Sequence, residues 1–181
     1  MRWYAIILTM CLVFIAGKSS AVMTALTTNE ITKSSDIVIR GVVQGIESFW
    51  SEDGKTIMSR ATISVGEVVR GQNVPHQVVV EFPGGEIGDL GYRVSDSVVF
   101  ESGEDTLLFL RRPVRRSGTV ESSPGEQPTR YEMVGKAQGK YTIDPSGIAR
   151  KRGFSVIGKP GSIDNNIPVE ELIGKIKEAN K

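Results

Sequence analysis

The chain has 181 residues, with 22 basic and 21 acidic side chains, so its net charge is close to zero. It therefore lacks the excess of positive charge with which proteins bind nucleic acids through the phosphate backbone. One histidine and one cysteine are too few for a zinc site or for an internal disulfide, and the composition predicts neither a metal nor a cofactor.

The first 21 residues have the layout of a secretory signal peptide. Arg2 supplies the positive start, residues 5–17 form an unbroken apolar run, and the segment ends on small residues. The small residues Ser19 and Ala21 predict cleavage after Ala21, with cleavage after Ala25 as the alternative. A membrane span needs roughly 20 apolar residues, so a retained anchor is the less favoured alternative, and we expect no membrane span after processing. Cleavage removes two basic side chains and changes the net charge from +1 to −1.

The single cysteine, Cys11, lies inside the apolar run and would be removed with it. Bacterial exported domains fold without disulfides more often than small secreted animal domains do. We therefore expect a disulfide-free bacterial protein that is secreted or periplasmic, with residues 22–181 forming a single domain.

A short helix is predicted at the start of this domain, over residues 26–35. Thr27 and Glu30 have the spacing of a capping box, in which each side chain hydrogen-bonds to the backbone of the other residue. Leu26 and Ile31 flank the cap and can form a hydrophobic staple, so both signals place the helix start at Thr27.

Long strands are predicted next, from β-branched residues and from alternation between apolar and polar side chains. They cover residues 36–46, 56–70 and 77–82. The alternation breaks at Gly66, which predicts a β-bulge. Glycines inside long strands favour a strongly bent sheet, as a small barrel requires.

The rest of the chain predicts shorter strands and a final helix. The helix follows Pro168, and its apolar residues recur at helical spacing, so its apolar stripe should cover a flank or a mouth of the barrel. The polar segment 113–129 predicts a mobile loop. The shorter strands are predicted at 98–100, at 106–110, at 131–134 with 140–143 as a closing pair, and from Ile148.

No catalytic residue is predicted, because the chain has neither a Gly-x-Ser-x-Gly nor a Ser-x-x-Lys motif. Paired carboxylates can hydrolyse glycosidic bonds. The candidate pairs, chosen only because their members lie close together in the sequence, are Glu81 with Glu86 and Glu101 with Glu104. A carboxylate-based hydrolase therefore remains an alternative.

Two short motifs are candidates for binding. Gly84, Gly85 and Glu86 follow a strand, where the glycines permit either a close approach between two backbones or a binding loop. Phe49 and Trp50 lie at the tip of the first hairpin. If these two aromatic side chains were exposed, they would anchor a partner. We expect instead that they are buried and plug the barrel end.

The basic cluster is the third candidate and consists of Arg111, Arg112, Arg115 and Arg116. It could bind an anionic envelope surface or an acidic protein. The alternative is a solvated loop that protects a strand edge from aggregation.

Three segments, 35–43, 67–71 and 103–110, resemble the netrin-like domains, which include the tissue inhibitors of metalloproteinases. The whole chain, with its motifs at 83–86 and 134–140, also resembles uncharacterised exported bacterial proteins. The resemblance implies a small OB-type barrel. Inhibitors of the family chelate the protease zinc through an N-terminal cysteine, which the mature chain lacks, so only the barrel carries over.

The sequence thus predicts a mainly β fold: a small OB-like (netrin-like) β-barrel with a short N-terminal helix and a C-terminal amphipathic helix. The predicted function is an exported, non-catalytic binding or interaction module whose partner is another exported protein or an anionic envelope surface. The alternatives are a partner or inhibitor of an exported metalloprotease and the carboxylate-based hydrolase.

Overall fold

The computed structural model describes residues 23–113, 129–153, 156–157 and 163–180. The predicted signal peptide and nearly all of the predicted loop 113–129 lie outside these residues. The described chain is mainly β with two short helices, as the sequence predicts.

The strands are numbered in chain order. They are β1 (Met23–Thr24), β2 (Ile37–Trp50), β3 (Ile57–Arg70), β4 (Gln77–Pro83), β5 (Gly85–Ile87), β6 (Leu90–Tyr92), β7 (Asp105–Arg111), β8 (Arg130–Met133), β9 (Lys140–Ile143), β10 (Ile148–Arg150), β11 (Val156–Ile157) and β12 (Ile167–Pro168). The helices are α1 (Thr28–Lys33) and α2 (Val169–Glu178), and a 3₁₀ turn covers Lys136–Gly139.

Five strands form a ring in the order β2-β3-β4-β8-β7, and β7 pairs with β2 again. The β4–β8 pair is parallel, while the other four pairs are antiparallel. The seam between β7 and β8 holds only two residue pairs, so the barrel is partly open there. This ring is an OB-like barrel, a five-stranded and partly open architecture.

Glycines bend the long β2–β3 hairpin. The register shifts at Arg40/Gly41 and leaves Gly66 unpaired, which confirms the predicted bulge. At Gly41 an added Cβ would overlap the Ser64 carbonyl, so the two strands approach closely there. After Val42, β2 no longer pairs with β7, so the β2 side of the hairpin projects beyond β7, while the β3 side stays paired with β4 as far as Met58 and Pro83.

Two apolar clusters hold the fold together. One fills the barrel interior, and the other lies outside the ring, where β7 and β9 are covered by the two helices. The apolar stripe of α2, made by Val169, Leu172, Ile173 and Ile176, is buried in the outer cluster, so this helix covers a flank of the barrel. The capping box of α1 is present, with Thr27 N donating to the Glu30 carboxylate at 2.8 Å.

Two strand predictions are wrong. Residues 98–100 have the alternating pattern of a strand, but they form no ladder; Val98 and Phe100 are buried in the barrel interior. Their alternation arises because the segment plugs the barrel end. The predicted closing pair does not form either: β8 pairs with β4 and β7, whereas β9 pairs with β7 and β10.

Candidate functional site

Residues 84–86, which we call the glycine loop, lie against the part of the β2–β3 hairpin that extends beyond β7. Gly84 and Gly85 both have positive φ, at 110° and 137°, a region that side chains disfavour. The Ser59 hydroxyl donates to the Gly84 carbonyl at 2.6 Å and lies 3.0 Å from the Ser48 hydroxyl. Glu86 N donates to Ser48 Oγ at 3.3 Å. A Cβ at Gly85 would overlap both serine hydroxyls, so these glycines permit a close approach.

The glycine loop and the hairpin residues that it contacts form one wall of a cleft of about 640 Å³, which we call the hairpin cleft. Its volume lies in the range of small-molecule and peptide pockets. The other wall is the segment that plugs the barrel end. The residues that line the cleft include Ile46, Ser48, Gly85, Glu86, Tyr92 and Val99.

The hairpin cleft has an exposed apolar lining. Ile46, Tyr92 and Val99 are 40%, 42% and 69% exposed, and all three line it. The structure leaves seven large hydrophobic side chains exposed among the described residues, so nearly half of them converge on one concave surface. Charged side chains at the cleft include Glu86 and Arg93.

Phe49 and Trp50 lie on opposite faces of the projecting hairpin, because successive strand residues alternate. Phe49 is half-buried, and the Arg60 guanidinium lies 4.2 Å above its ring. Trp50 is 45% exposed, so the prediction that it plugs the barrel end is wrong. Trp50 lies eight residues beyond the last pair between β2 and β7, where β2 pairs with no described strand other than β3. Neither residue lines the hairpin cleft.

A row of charged residues crosses the outer face of the barrel. Glu47, Arg60, Glu81, Glu132 and Arg111 lie opposite one another on five neighbouring strands. The ion pairs are Arg60 with Glu47 at 3.5 Å, Arg60 with Glu81 at 3.4 Å, Arg130 with Glu81 at 3.5 Å and Arg111 with Glu132 at 3.6 Å. These charges compensate one another, so this face offers no excess of positive charge to a nucleic acid.

The basic cluster is only partly described. Arg111 and Arg112 are exposed, and Arg115 and Arg116 lie outside the described residues. The Arg112 backbone N–H donates to the Asp36 carboxylate at 2.7 Å. Neither Arg111 nor Arg112 lines the hairpin cleft, so the structure does not bring these two candidates together with Gly84, Gly85 and Glu86.

A buried ion pair that sequence reasoning missed fixes the plugging segment. Lys140 Nζ donates to the Glu104 carboxylate at 2.6 Å and to the Val99 carbonyl at 2.5 Å. The Thr142 hydroxyl also donates to Glu104. Burial lowers the pKa of Lys140, and the pairing with Glu104 opposes that shift. A lone lysine between strands gives no signal in the sequence, because its partner is 36 residues away.

These contacts bear on the carboxylate pairs. Glu104 is engaged by Lys140 and Thr142, and Glu81 lies between two arginines. Glu86 and Glu101 are exposed. In both pairs one carboxylate is therefore already committed to a structural ion pair, which leaves the hydrolase alternative without support from geometry.

Within the described ranges, no group of three or more His, Cys, Asp and Glu side chains is placed to hold a metal ion. None of the described helices combines the length and the apolar character that crossing a membrane requires. No protein-family model and no curated protein matches the chain. The OB-like barrel and its hairpin cleft are therefore the features on which a function can be argued.

Proposed function

We propose that the protein is an exported, non-catalytic binding module that holds a segment of another exported protein in the hairpin cleft. The observation that carries the proposal is the convergence of Ile46, Tyr92 and Val99, all exposed, on one concave surface. Exposed apolar side chains that gather in one patch mark interaction sites, whereas scattered ones are ordinary surface.

The build of the cleft supports binding rather than catalysis. The hydroxyls of Ser48 and Ser59 are already hydrogen-bonded to each other and to the glycine loop, and the Ser97 hydroxyl, which also lines the cleft, donates to the Pro83 carbonyl at 2.7 Å. They position the wall and are not poised for attack on a substrate, which would need an adjacent base. Walls that are held by internal hydrogen bonds and carry an apolar lining suit a binding site, because less ordering is then needed when the ligand binds.

The other candidate partners have less support. An anionic envelope surface would need a basic patch. The structure describes two arginines of the basic cluster, Arg111 and Arg112, and the charge of Arg111 is already paired with that of Glu132. The association with a metalloprotease follows from the netrin-like resemblance alone and stays a prediction.

Selection of a phage-displayed library of random dodecapeptides on the purified protein tests the proposal. Peptides that bind should lose at least tenfold in affinity with Ile46→Asp, because a carboxylate would replace an apolar wall. Val68→Asp is the matched control, since Val68 is also a β-branched strand residue, has a similar exposure of 41% and lies outside the cleft. If no peptide is enriched, or if both variants weaken binding equally, the proposal fails.

A further inference from the structure

We infer that the bound segment is an extended strand that pairs with the free edge of β2, along residues 46–50. This inference rests on the proposed function and specifies how the hairpin cleft would hold its partner. Addition of a strand to a sheet edge is a recurrent mode of peptide recognition, in which backbone hydrogen bonds give affinity and pockets give specificity.

Among the described strands none covers this edge, which we call the free edge, because β7 is too short to reach it. The ladder between β2 and β7 ends at Val42 and Asp105. The loop that precedes β7 continues the contact for two more residues: Val43 N donates to the Glu104 carbonyl at 3.0 Å, and the Ser102 hydroxyl donates to the Gln44 carbonyl at 3.3 Å. Beyond Gln44, β3 is the only described strand that pairs with β2.

Hydrogen bonds at the hairpin end show which backbone groups face outward. Ser51 N donates to the Thr56 carbonyl at 2.8 Å, so the backbone of Ser51 points across the hairpin. Because successive residues of a strand point their N–H and C=O groups to opposite edges, those of Trp50, Ser48 and Ile46 point away from β3.

An independent contact on β3 gives the same orientation. Gly84 N donates to the Ile57 carbonyl at 2.9 Å, so the backbone of Ile57 faces β4 and not β2. Its cross-strand partner is Trp50, which therefore belongs to a pair that does not exchange hydrogen bonds across the hairpin. Three alternate residues, Ile46, Ser48 and Trp50, thus present three donors and three acceptors along the free edge.

The free edge and the apolar lining belong to one site. Ile46 and Ser48 present outward backbone groups, and both residues also line the hairpin cleft. A strand added beside β2 would lie between this edge and the opposite wall, where Tyr92 and Val99 are exposed. Its backbone would pair with β2, and every second side chain would contact the apolar lining.

The chemistry of the edge defines its occupant. Alternating N–H and C=O groups at strand spacing are matched by an extended polypeptide backbone and by no smaller ligand. The cleft carries both signs of charge, since Glu86 and Arg93 both line it. The occupant is therefore an extended segment of a partner protein in which apolar residues alternate along the chain.

Backbone methylation of a peptide selected from the dodecapeptide library tests the pairing. Each position is N-methylated in turn, which removes one N–H without changing the side chain. We expect affinity to fall at least tenfold at alternate positions, because every second N–H of an added strand faces β2. A loss of equal size at all positions, or at none, would overturn the inference.

Amide exchange of the protein, followed by NMR with the same peptide at saturation, provides the second readout. The amides of Ile46, Ser48 and Trp50 should exchange at least tenfold more slowly with the peptide bound. Those of Glu47 and Phe49 already face β3 and serve as internal controls. If peptides bind in the cleft without this protection, the added strand is wrong while the proposed function stands; if no library peptide binds, the proposed function itself has failed.

Discussion

Lys151 is a buried amine without a hydrogen-bond partner. The residue is 7% exposed, and Nζ lies 4.6 Å from the centre of the Tyr141 ring. Burial lowers the pKa of Lys151 to about 8, and the charge of Asp164 opposes that shift only partly. A buried ammonium group that makes no hydrogen bond destabilises the folded state.

Lys151→Met should therefore raise the free energy of unfolding at pH 7. Since the pKa falls from 10.5 in the unfolded chain to about 8, the upper bound is about 3 kcal/mol. Between pH 8 and pH 10.5 the unfolded state binds more protons than the folded state. The wild-type protein therefore gains stability as the pH rises through this range, and the difference in unfolding free energy between variant and wild type becomes smaller. Urea denaturation at pH 7 and pH 10 measures this, with the exposed Lys177→Met as control. An equal gain at both pH values would contradict it.

Gly85 tests the close approach of the glycine loop. Gly85→Ala places a Cβ against the hydroxyls of Ser48 and Ser59 at a φ of 137°, so the loop must move away from the hairpin. We expect a loss of about 1–3 kcal/mol in unfolding free energy, together with weaker binding of selected peptides. Gly88→Ala is the matched control: it also has positive φ, but its Cβ would meet open space. Equal thermal melting temperatures for the two variants would refute the close approach.

At the scale of elements, local signals predicted what local physics determines. The capping box at Thr27 and the apolar spacing after Pro168 place both helices, because each signal depends on neighbours in the chain. The bulge at Gly66 was visible for the same reason. The pairing of β8 with β4 depends on the path of the whole chain, which no local pattern records.

The candidate site was predicted only in part, for the same reason. Gly84 and Gly85 stand out in the sequence because two adjacent glycines after a strand require a special backbone. Ile46 and Val99 have the composition of core residues and become a cleft lining only because the hairpin projects beyond β7. A short β7 cannot be recognised without knowing which strand it pairs with.

Asp164 joins the two helices to the barrel. Its carboxylate accepts from the Thr28 hydroxyl of α1 at 2.5 Å and from Lys175 Nζ of α2 at 2.6 Å. Its backbone carbonyl accepts from the Tyr141 hydroxyl at 2.9 Å. Burial acts to raise the pKa of Asp164, but the hydrogen bonds from Lys175 and Thr28 outweigh it and lower the pKa below the ordinary value.

Asp164→Asn should destabilise the packing of both helices by about 1–2 kcal/mol at pH 7. A depressed pKa contributes stability that is present above the ordinary value of 3.8 and is lost as the pH falls through the folded value. The difference between variant and wild type should therefore shrink below pH 4. Thermal melts at pH 7 and pH 3 measure this, with Asp89→Asn in an exposed turn as control. A difference that stays constant down to pH 3 would contradict this linkage.

At the scale of the whole molecule, one buried side chain ties the N-terminal segment to the barrel. Gln138, in the 3₁₀ turn, accepts from Leu26 N at 2.8 Å and donates to the Thr24 carbonyl at 3.0 Å. Its amide therefore bonds with the segment as a neighbouring strand would. The preceding residues add a second tie, because Met23 and Thr24 pair with β11 in parallel register.

These ties distinguish the two predicted cleavage sites. A chain that starts at Val22 keeps β1 and both bonds of Gln138, whereas a chain that starts at Leu26 loses β1 and the Thr24 carbonyl. The buried Nε2 of Gln138 would then lack its acceptor, and an unsatisfied buried donor costs about 1–3 kcal/mol. We therefore expect the form that starts at Val22 to have the larger free energy of unfolding, by about 1–3 kcal/mol.

Denaturation of both forms, each with and without Gln138→Ala, measures this coupling as a double-mutant cycle. Gln138→Ala should destabilise the form that starts at Val22 and have a much smaller effect on the form that starts at Leu26, because the second form has already lost one of the two bonds. Mass spectrometry of the protein isolated from its host then tests whether the predicted cleavage occurs, and we expect Val22 at the N-terminus. Equal stability of the two forms would mean that β1 is dispensable, and cleavage after Ala25 would then be compatible with the fold.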